Sequence, residues 1–445
     1  MSKKQPTGSE KKSTKNQAPV PGYTHITTAA EVEEYTLKSN GLRVLYHHRP
    51  DTGVITSNIT YLVGARDETR GETGVAHMLE HMLFKPTVHD IKNDIDSASM
   101  QFERETGCIL NANTWKDRTT YFFSYPKQYL DRALKIEAER MNGTVITDES
   151  LAPERNNVLS EFDMNNGDPH FALAAVMCGA AYHSHPYGHE TIGYREDIEQ
   201  YNAVSLERFY RLYYRPDNAI MMMIGDVDRE TALKAVKKHF GSIEKPNTVI
   251  PRFQIRESKQ EGLRRVVVER PSTTQLVSIG VKHAGFPTED WFVASTLAEV
   301  LTSGPESVLH KALVDTGIAT SIYGALEPTS EENIGQITVT LAEGQSHETV
   351  EKKVLSIIAA LDTKTLAPLV KKVKARVLTD ELFARDSSLR IAAELTEYVS
   401  SGHWISYADT PKILEKITAE KIVAAAKKLF TNSNMTIGYF IGKKN

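Results

Sequence analysis

Residues 77–81 read His-Met-Leu-Glu-His, which puts His77, Glu80 and His81 within five positions. On a helix, residues i and i+4 share a face, so both imidazoles can turn a nitrogen toward one ion. Glu80 lies three positions after His77 and reaches the edge of that face. A carboxylate there can take a proton from water held by such an ion. The surrounding "TGVAHMLEHMLFKPT" supports a helix, with Thr73 as the expected N-cap and Pro86 as the stop. Two histidines alone also suit the polar edge of an ordinary helix, so a third ligand decides the matter.

The best source of one is "DESLAPERNNVLSEFDMNNGDPH", residues 148–170. Ser150 is the expected cap of a helix carrying Glu154 and Glu161, seven residues apart and so on one face. Spacing alone leaves both glutamates open as ligands. A carboxylate would leave the net charge of a divalent site near +1, which keeps the ion acidic enough to activate water near neutral pH. A rival cluster, "YHSHPYGH" at 182–189, offers His183, His185 and His189, but its spacing is loose and Pro186 interrupts any helix. His47 and His48 alternate across a strand and receive no role.

The elements that must position these residues come in two sets. Residues 40–68, "NGLRVLYHHRPDTGVITSNITYLVGARDE", and 261–289, "EGLRRVVVERPSTTQLVSIGVKHAGFPTE", align at a constant offset of 221. Gly41 then meets Gly262, Arg49–Pro50 meets Arg270–Pro271, and Gly64 meets Gly285. Each stretch alternates as a strand, turns, and alternates again before a helical pattern. Helical periodicity also marks 128–142, 204–214, 229–239, 346–361, 364–384 and 417–429. Strand pairs such as 41–48 with 56–63 have connections too short for a crossover, which predicts adjacent antiparallel pairing. The fold class is therefore α+β, in two homologous halves, each a mainly antiparallel sheet with helices on one face.

Composition sets the outer limits. The chain has 445 residues, 40% hydrophobic, with a formal net charge of −4, so no basic excess points to nucleic acid. No apolar run is long enough to cross a bilayer, so no membrane association is expected. Cys108 and Cys178 read as small buried hydrophobes rather than a bridge. The first residues, "MSKKQPTGSEKKSTKNQAPV", lack both an apolar segment and a transit-peptide pattern, which makes a cytoplasmic location the expectation.

The wider text "VGARDETRGETGVAHMLEHMLFKPT", with "ILNANTWKDRTTYFF", "ERNNVLSEFDM", "HPYGHETIG" and "YYRPDNAIMMMIGDVD", resembles the pitrilysin/insulinase family. These inverzincin metallopeptidases include the β subunit of mitochondrial processing peptidase. The resemblance runs from about residue 30 to the end. It implies that His77, His81 and Glu161 bind Zn2+, that Glu80 is the general base, and that Glu154 supports the site catalytically. It implies two halves that together form part of a clamshell around a peptide or unfolded polypeptide. It also implies that "CILNANT" (108–114) is an edge strand pairing with substrate, so that Asn111, Ala112 and Asn113 bind it. Asn113 stands where relatives often carry an aromatic. The expected organisation is a disordered tail at 1–22, a zinc-binding catalytic domain at 23–243, a linker at 244–261 and a homologous domain without metal at 262–445.

The second half departs from the pattern. At the 221 offset, His77, Glu80 and His81 meet Ala298, Leu301 and Thr302, and "WFVASTLAEVLTS" reads as a plain amphipathic helix. Self-sufficient family members carry an arginine and a tyrosine that hold substrate and oxyanion. Here "LVDTGIATSIYG" (313–324) puts Val314 and Thr320 at those places, with Tyr323 three residues late and expected on the strand's packed pattern. The expected protein is a zinc-dependent metalloendopeptidase subunit whose partner, a paralogue lacking the zinc motif or a second copy, supplies the clamp. The alternative is a non-enzymatic structural subunit of a larger complex.

Overall fold

"AIMMMIG" has no polar face, the signature of a strand buried on both sides. In the computed structural model, which describes residues 19–252 and 255–443, it is a central strand. The first sheet contains β1 (Tyr23–Ala29), β2 (Val32–Leu37), β3 (Arg43–His48), β4 (Val54–Tyr61), β5 (Ile109–Thr114), β6 (Thr119–Pro126) and β7 (Ala219–Gly225). Their order is β1-β2-β3-β7-β4-β6-β5. The second contains β8 (Arg264–Pro271), β9 (Gln275–His283), β10 (Ala319–Ala325), β11 (Asn333–Leu341) and β12 (Met435–Lys443), ordered β10-β11-β9-β12-β8.

The duplication is visible in the register. β3 and β4 begin at 43 and 54, β8 and β9 at 264 and 275, the same 221-residue offset. One expectation fails in both halves alike. β3 and β4 do not pair with each other. Distant β7 lies between them, parallel to β3 and antiparallel to β4. β12 lies in the same way between β8 and β9. Strands two places apart are separated by roughly 10 Å, which the short connection spans easily, so a short loop does not compel pairing. The all-apolar strand takes the middle because only there are both its faces covered.

The two faces of the first sheet serve different cores. Met221 and Met223 pack with Val44, Tyr46, Ile55 and Ile59 beneath the first half's own helices. Ile220, Met222, Ile224 and Leu45 belong instead to the core of the second half. There the Ser388–Ser400 helix lies on β4 and β7, and Asn58 and Thr56 hydrogen-bond Thr396 and Ser388. The exchange is reciprocal. The Pro169–Ala181 helix of the first half packs on β8, β9 and β12, with Leu173 and Met177 against Val268, Leu276 and Phe440. Met177 fits because β12 has Gly438 there: a Cβ would lie 2.5 Å from the Met177 sulfur. Each sheet thus carries its own helices on one face and a helix from the other half on the opposite face.

The six periodic helices read from sequence are present, as Leu130–Gly143, Ala203–Tyr213, Arg229–Phe240, His347–Ala359, Thr363–Ala384 and Ala419–Leu429. The Glu289–Thr302 helix is not plainly amphipathic, since nine of its residues are buried, Ala298, Leu301 and Thr302 among them. The expected tail falls outside the described residues except for 19–22, where Val20 is buried in the first core. Within the expected linker, Arg252 donates to the Leu62 carbonyl and Glu257 accepts the backbone N–H groups of His183, Ser184 and His185. Cys108 and Cys178 are both free and buried. No described helix is long and apolar enough to cross a membrane.

Candidate metal centre

The helix bearing the two histidines spans Val75–Met82, so it ends a turn before Pro86. Its cap is not Thr73, whose hydroxyl donates to Asp197 at 2.6 Å. The buried Glu68 carboxylate instead accepts the N–H groups of Gly74 at 2.7 Å and Ala76 at 2.9 Å, and His189 lies 2.9 Å away. A carboxylate there satisfies orphan donors and favours the positive end of the helix. Gly74 has φ +86°, and a Cβ on it would meet the Ile192 carbonyl oxygen at 2.3 Å. The second helix spans Asp148–Gly167 and is capped by Thr147, with Ser150 at its third position completing a reciprocal pair. Ser150 therefore supports the cap without being it.

These two helices bring His77, His81 and Glu161 together. One donor atom from each lies within 4.8 Å of the others, the one such group of three among the described residues. His77 Nε2 is 3.8 Å and His81 Nε2 is 3.7 Å from Glu161 Oε2. Ligands around tetrahedral zinc stand roughly 3.3–3.5 Å apart, so each histidine-to-Glu161 distance lies within a few tenths of an ångström of that spacing. Burial, then the neighbouring His81, lowers the His77 pKa to about 3, which keeps its imidazole neutral with a lone pair to give. Its Nδ1 is buried and makes no hydrogen bond. The chemistry of the set, two imidazoles and one carboxylate, is that of a zinc site with one position left open.

Glu154 plays a different part from Glu161. It lies 3.5 Å from His81 Nδ1 and forms an ion pair with Lys85. Burial raises its carboxyl, but hydrogen bonds from Lys85 and Asn157 outweigh that and hold it below the usual range. An anion at Nδ1 keeps the proton on that nitrogen and leaves Nε2 facing Glu161.

Glu80 projects toward β5, where the Thr114 hydroxyl donates to it at 2.6 Å. Burial raises its pKa, with Thr114 opposing. β5 is the last strand of its sheet, so its outer edge is unpaired by any described strand. Asn111 is exposed and Ala112 buried on it. Asn113 is already occupied, since its side-chain oxygen accepts from Arg118, which also forms an ion pair with Glu397 of the second half. Lys85, Thr114 and Arg118 were not singled out from sequence. Thr114 alone carried a signal there, because it shares a strand face with Ala112.

The histidines of 182–189 go to separate partners: His185 lies 3.0 Å from Glu331, while His189 joins Glu68. In the second half, Val314 packs half-buried against the core and Thr320 is exposed on β10. Tyr323 is not packed as expected. It is 69% exposed and lines a cavity with Trp115, His170 and Phe171.

Two family models match the chain. The one described as Insulinase (Peptidase family M16) covers residues 43–194, and the one described as Peptidase M16 inactive domain covers 201–367. A Helicobacter pylori protein named zinc protease PqqE is 28% identical over 410 residues, covering 91% of each chain. The probable mitochondrial-processing peptidase subunit beta of Schizosaccharomyces pombe is 24% identical over 431 residues, covering 92% of each. Among solved structures, a protease from Helicobacter pylori superposes with a TM-score of 0.85 at 27% identity, covering 92% of this chain and 99% of that one.

Proposed function

This chain belongs to the insulinase family, peptidase family M16, and from that premise we propose that it is a zinc-dependent endopeptidase acting on unfolded polypeptide. The observation carrying the reading is the meeting of His77, His81 and Glu161 beside Glu80, at an unpaired sheet edge. All four residues lie in the insulinase match, and none in the match to the inactive domain.

His77, His81 and Glu161 would hold the ion. When bound, Zn2+ supplies Lewis acidity that polarises a carbonyl and acidifies water. The edge of β5 receives an extended peptide by backbone hydrogen bonds, which presents the reacting bond without requiring a particular sequence. Asn111 and Ala112 flank that bond. Glu80, raised by burial and steadied by Thr114, takes a proton from the attacking water and passes it to the leaving amine. Glu154 orients His81.

The second half supplies no strong donor where substrate and oxyanion need one, because Val314 is apolar and Thr320 is short. An oxyanion donor is worth about 10²–10³ in rate. The zinc-bearing chain therefore works with a second subunit that provides the clamp, and alone it is slow. The retained metal set weighs against a purely structural subunit. Metal analysis tests the reading: one zinc per chain in the wild type and in Glu80→Gln, and none after dialysis in Glu161→Gln. Equal zinc in all three would refute it.

A further inference from the structure

A cavity of about 610 Å³ lies at the end of β9, walled by residues 257–260, the start of the Glu289–Thr302 helix and the end of the Ala419–Leu429 helix. Lys282 lines it and is only 5% exposed. Its Nζ stands 4.9 Å from the centre of the Tyr182 ring, yet its side chain makes no hydrogen bond or ion pair among the described residues. Burial lowers its pKa, with Glu257 opposing. The charges on the two helices are already matched: Lys421 pairs with Glu289, and Lys428 with Asp290 at 3.0 Å. Glu257 accepts three backbone N–H groups and lies 3.7 Å from Arg264. A desolvated ammonium costs free energy unless an anion answers it, and the ring face offers only part of that.

We propose that this cavity binds a small aliphatic monocarboxylate, whose carboxylate completes the pairing of Lys282. Two features narrow the class. Val293, Ala294, Ala424, Ala425 and Leu429 form an apolar wall, which suits a short hydrocarbon chain. Glu257, Glu289, Asp290 and Glu332 also line the cavity, so a second negative charge on the ligand meets repulsion, whereas a single one is held on Lys282. The site is separate from the metal centre, since every lining residue lies at 257 or beyond.

The test titrates valerate, glutarate, inorganic phosphate and n-pentanol into the full chain by calorimetry. Valerate is expected to bind at least ~10-fold tighter than each of the other three, and Lys282→Met to weaken it at least ~10-fold. Glu161→Gln is expected to bind valerate as the wild type does, which separates the cavity from a carboxylate held at the metal centre. Because Lys282 is buried, a second readout uses the wild type alone. Valerate is expected to slow reductive methylation of Lys282, mapped by mass spectrometry. Valerate binding that is absent, matched by any of the other three probes, undiminished in Lys282→Met, lost in Glu161→Gln, or without effect on Lys282 methylation overturns the assignment.

Discussion

Thr114 donates its hydroxyl hydrogen to Glu80 Oε2 at 2.6 Å, joining the outer strand β5 directly to the glutamate of the His-Met-Leu-Glu-His helix. In the proposed reaction, this bond holds a peptide docked on β5 and the group that moves the proton in one register. Thr114→Val keeps the shape and removes the bond. The expected result is a fall in kcat of about tenfold with little change in KM, since one hydrogen bond to a charged group is lost. Zinc content should not change, which metal analysis on the same sample checks.

Glu154 should matter through the metal rather than the proton. With Gln in its place, Lys85 loses its counter-charge and His81 Nδ1 loses its anion. Loss of such a partner costs ~10–100-fold in metal affinity. Competition with a chelator of known strength should show that loss in Glu154→Gln, with the fold unchanged by circular dichroism.

The cross-packing of the halves predicts a stability effect far from the site. Met177 is fully buried against β12 and β9 of the other half, with Leu173 beside it. Met177→Ala leaves a cavity between glycine-lined strands that cannot collapse inward. Destabilisation of roughly 2–5 kcal/mol is expected in urea titration. The melting transition should move for both halves together, because each lends a helix to the other.

His283 gives a pH dependence whose sign is fixed. Burial lowers its pKa to about 4, against an ordinary value of 6.5, and its Nε2 is buried without a partner. The folded chain therefore holds it neutral while the unfolded chain protonates it. Its contribution is intact above pH 6.5 and is lost progressively as pH falls toward 4, by roughly 3 kcal/mol in all. In urea titrations the wild type should lose roughly 3 kcal/mol relative to His283→Leu as pH falls through that window. A constant difference between them across pH 7.5 to 4 would contradict the assignment.

The site was more legible in sequence than the sheet that carries it. His77, Glu80 and His81 are local, so helical spacing alone puts them on one face. Glu161 needed a second helix and, to be chosen over Glu154, a family resemblance. The difference between the two glutamates is that Lys85 claims Glu154, a contact between helices that no periodicity encodes. The caps failed for a similar reason. Glu68, six residues before Gly74, folds back to cap the helix, and Thr73 is drawn off by Asp197. Strand existence was readable from alternation, but strand order was not. β7 and β12 arrive from far along the chain and enter the centre, β7 buried along its whole length and β12 along its first four residues. Tyr323 was misread because alternation says which residues share a face, not which face is covered.

The most direct test of the central claim compares the wild type with Glu80→Gln at equal zinc content, on an unfolded polypeptide, with the chain alone and with a paralogue lacking His-x-x-Glu-His. The account predicts cleavage by the wild type, faster with the paralogue present, and none above background by Glu80→Gln in either setting. Equal cleavage by both chains, or none by the wild type in either setting, would contradict it.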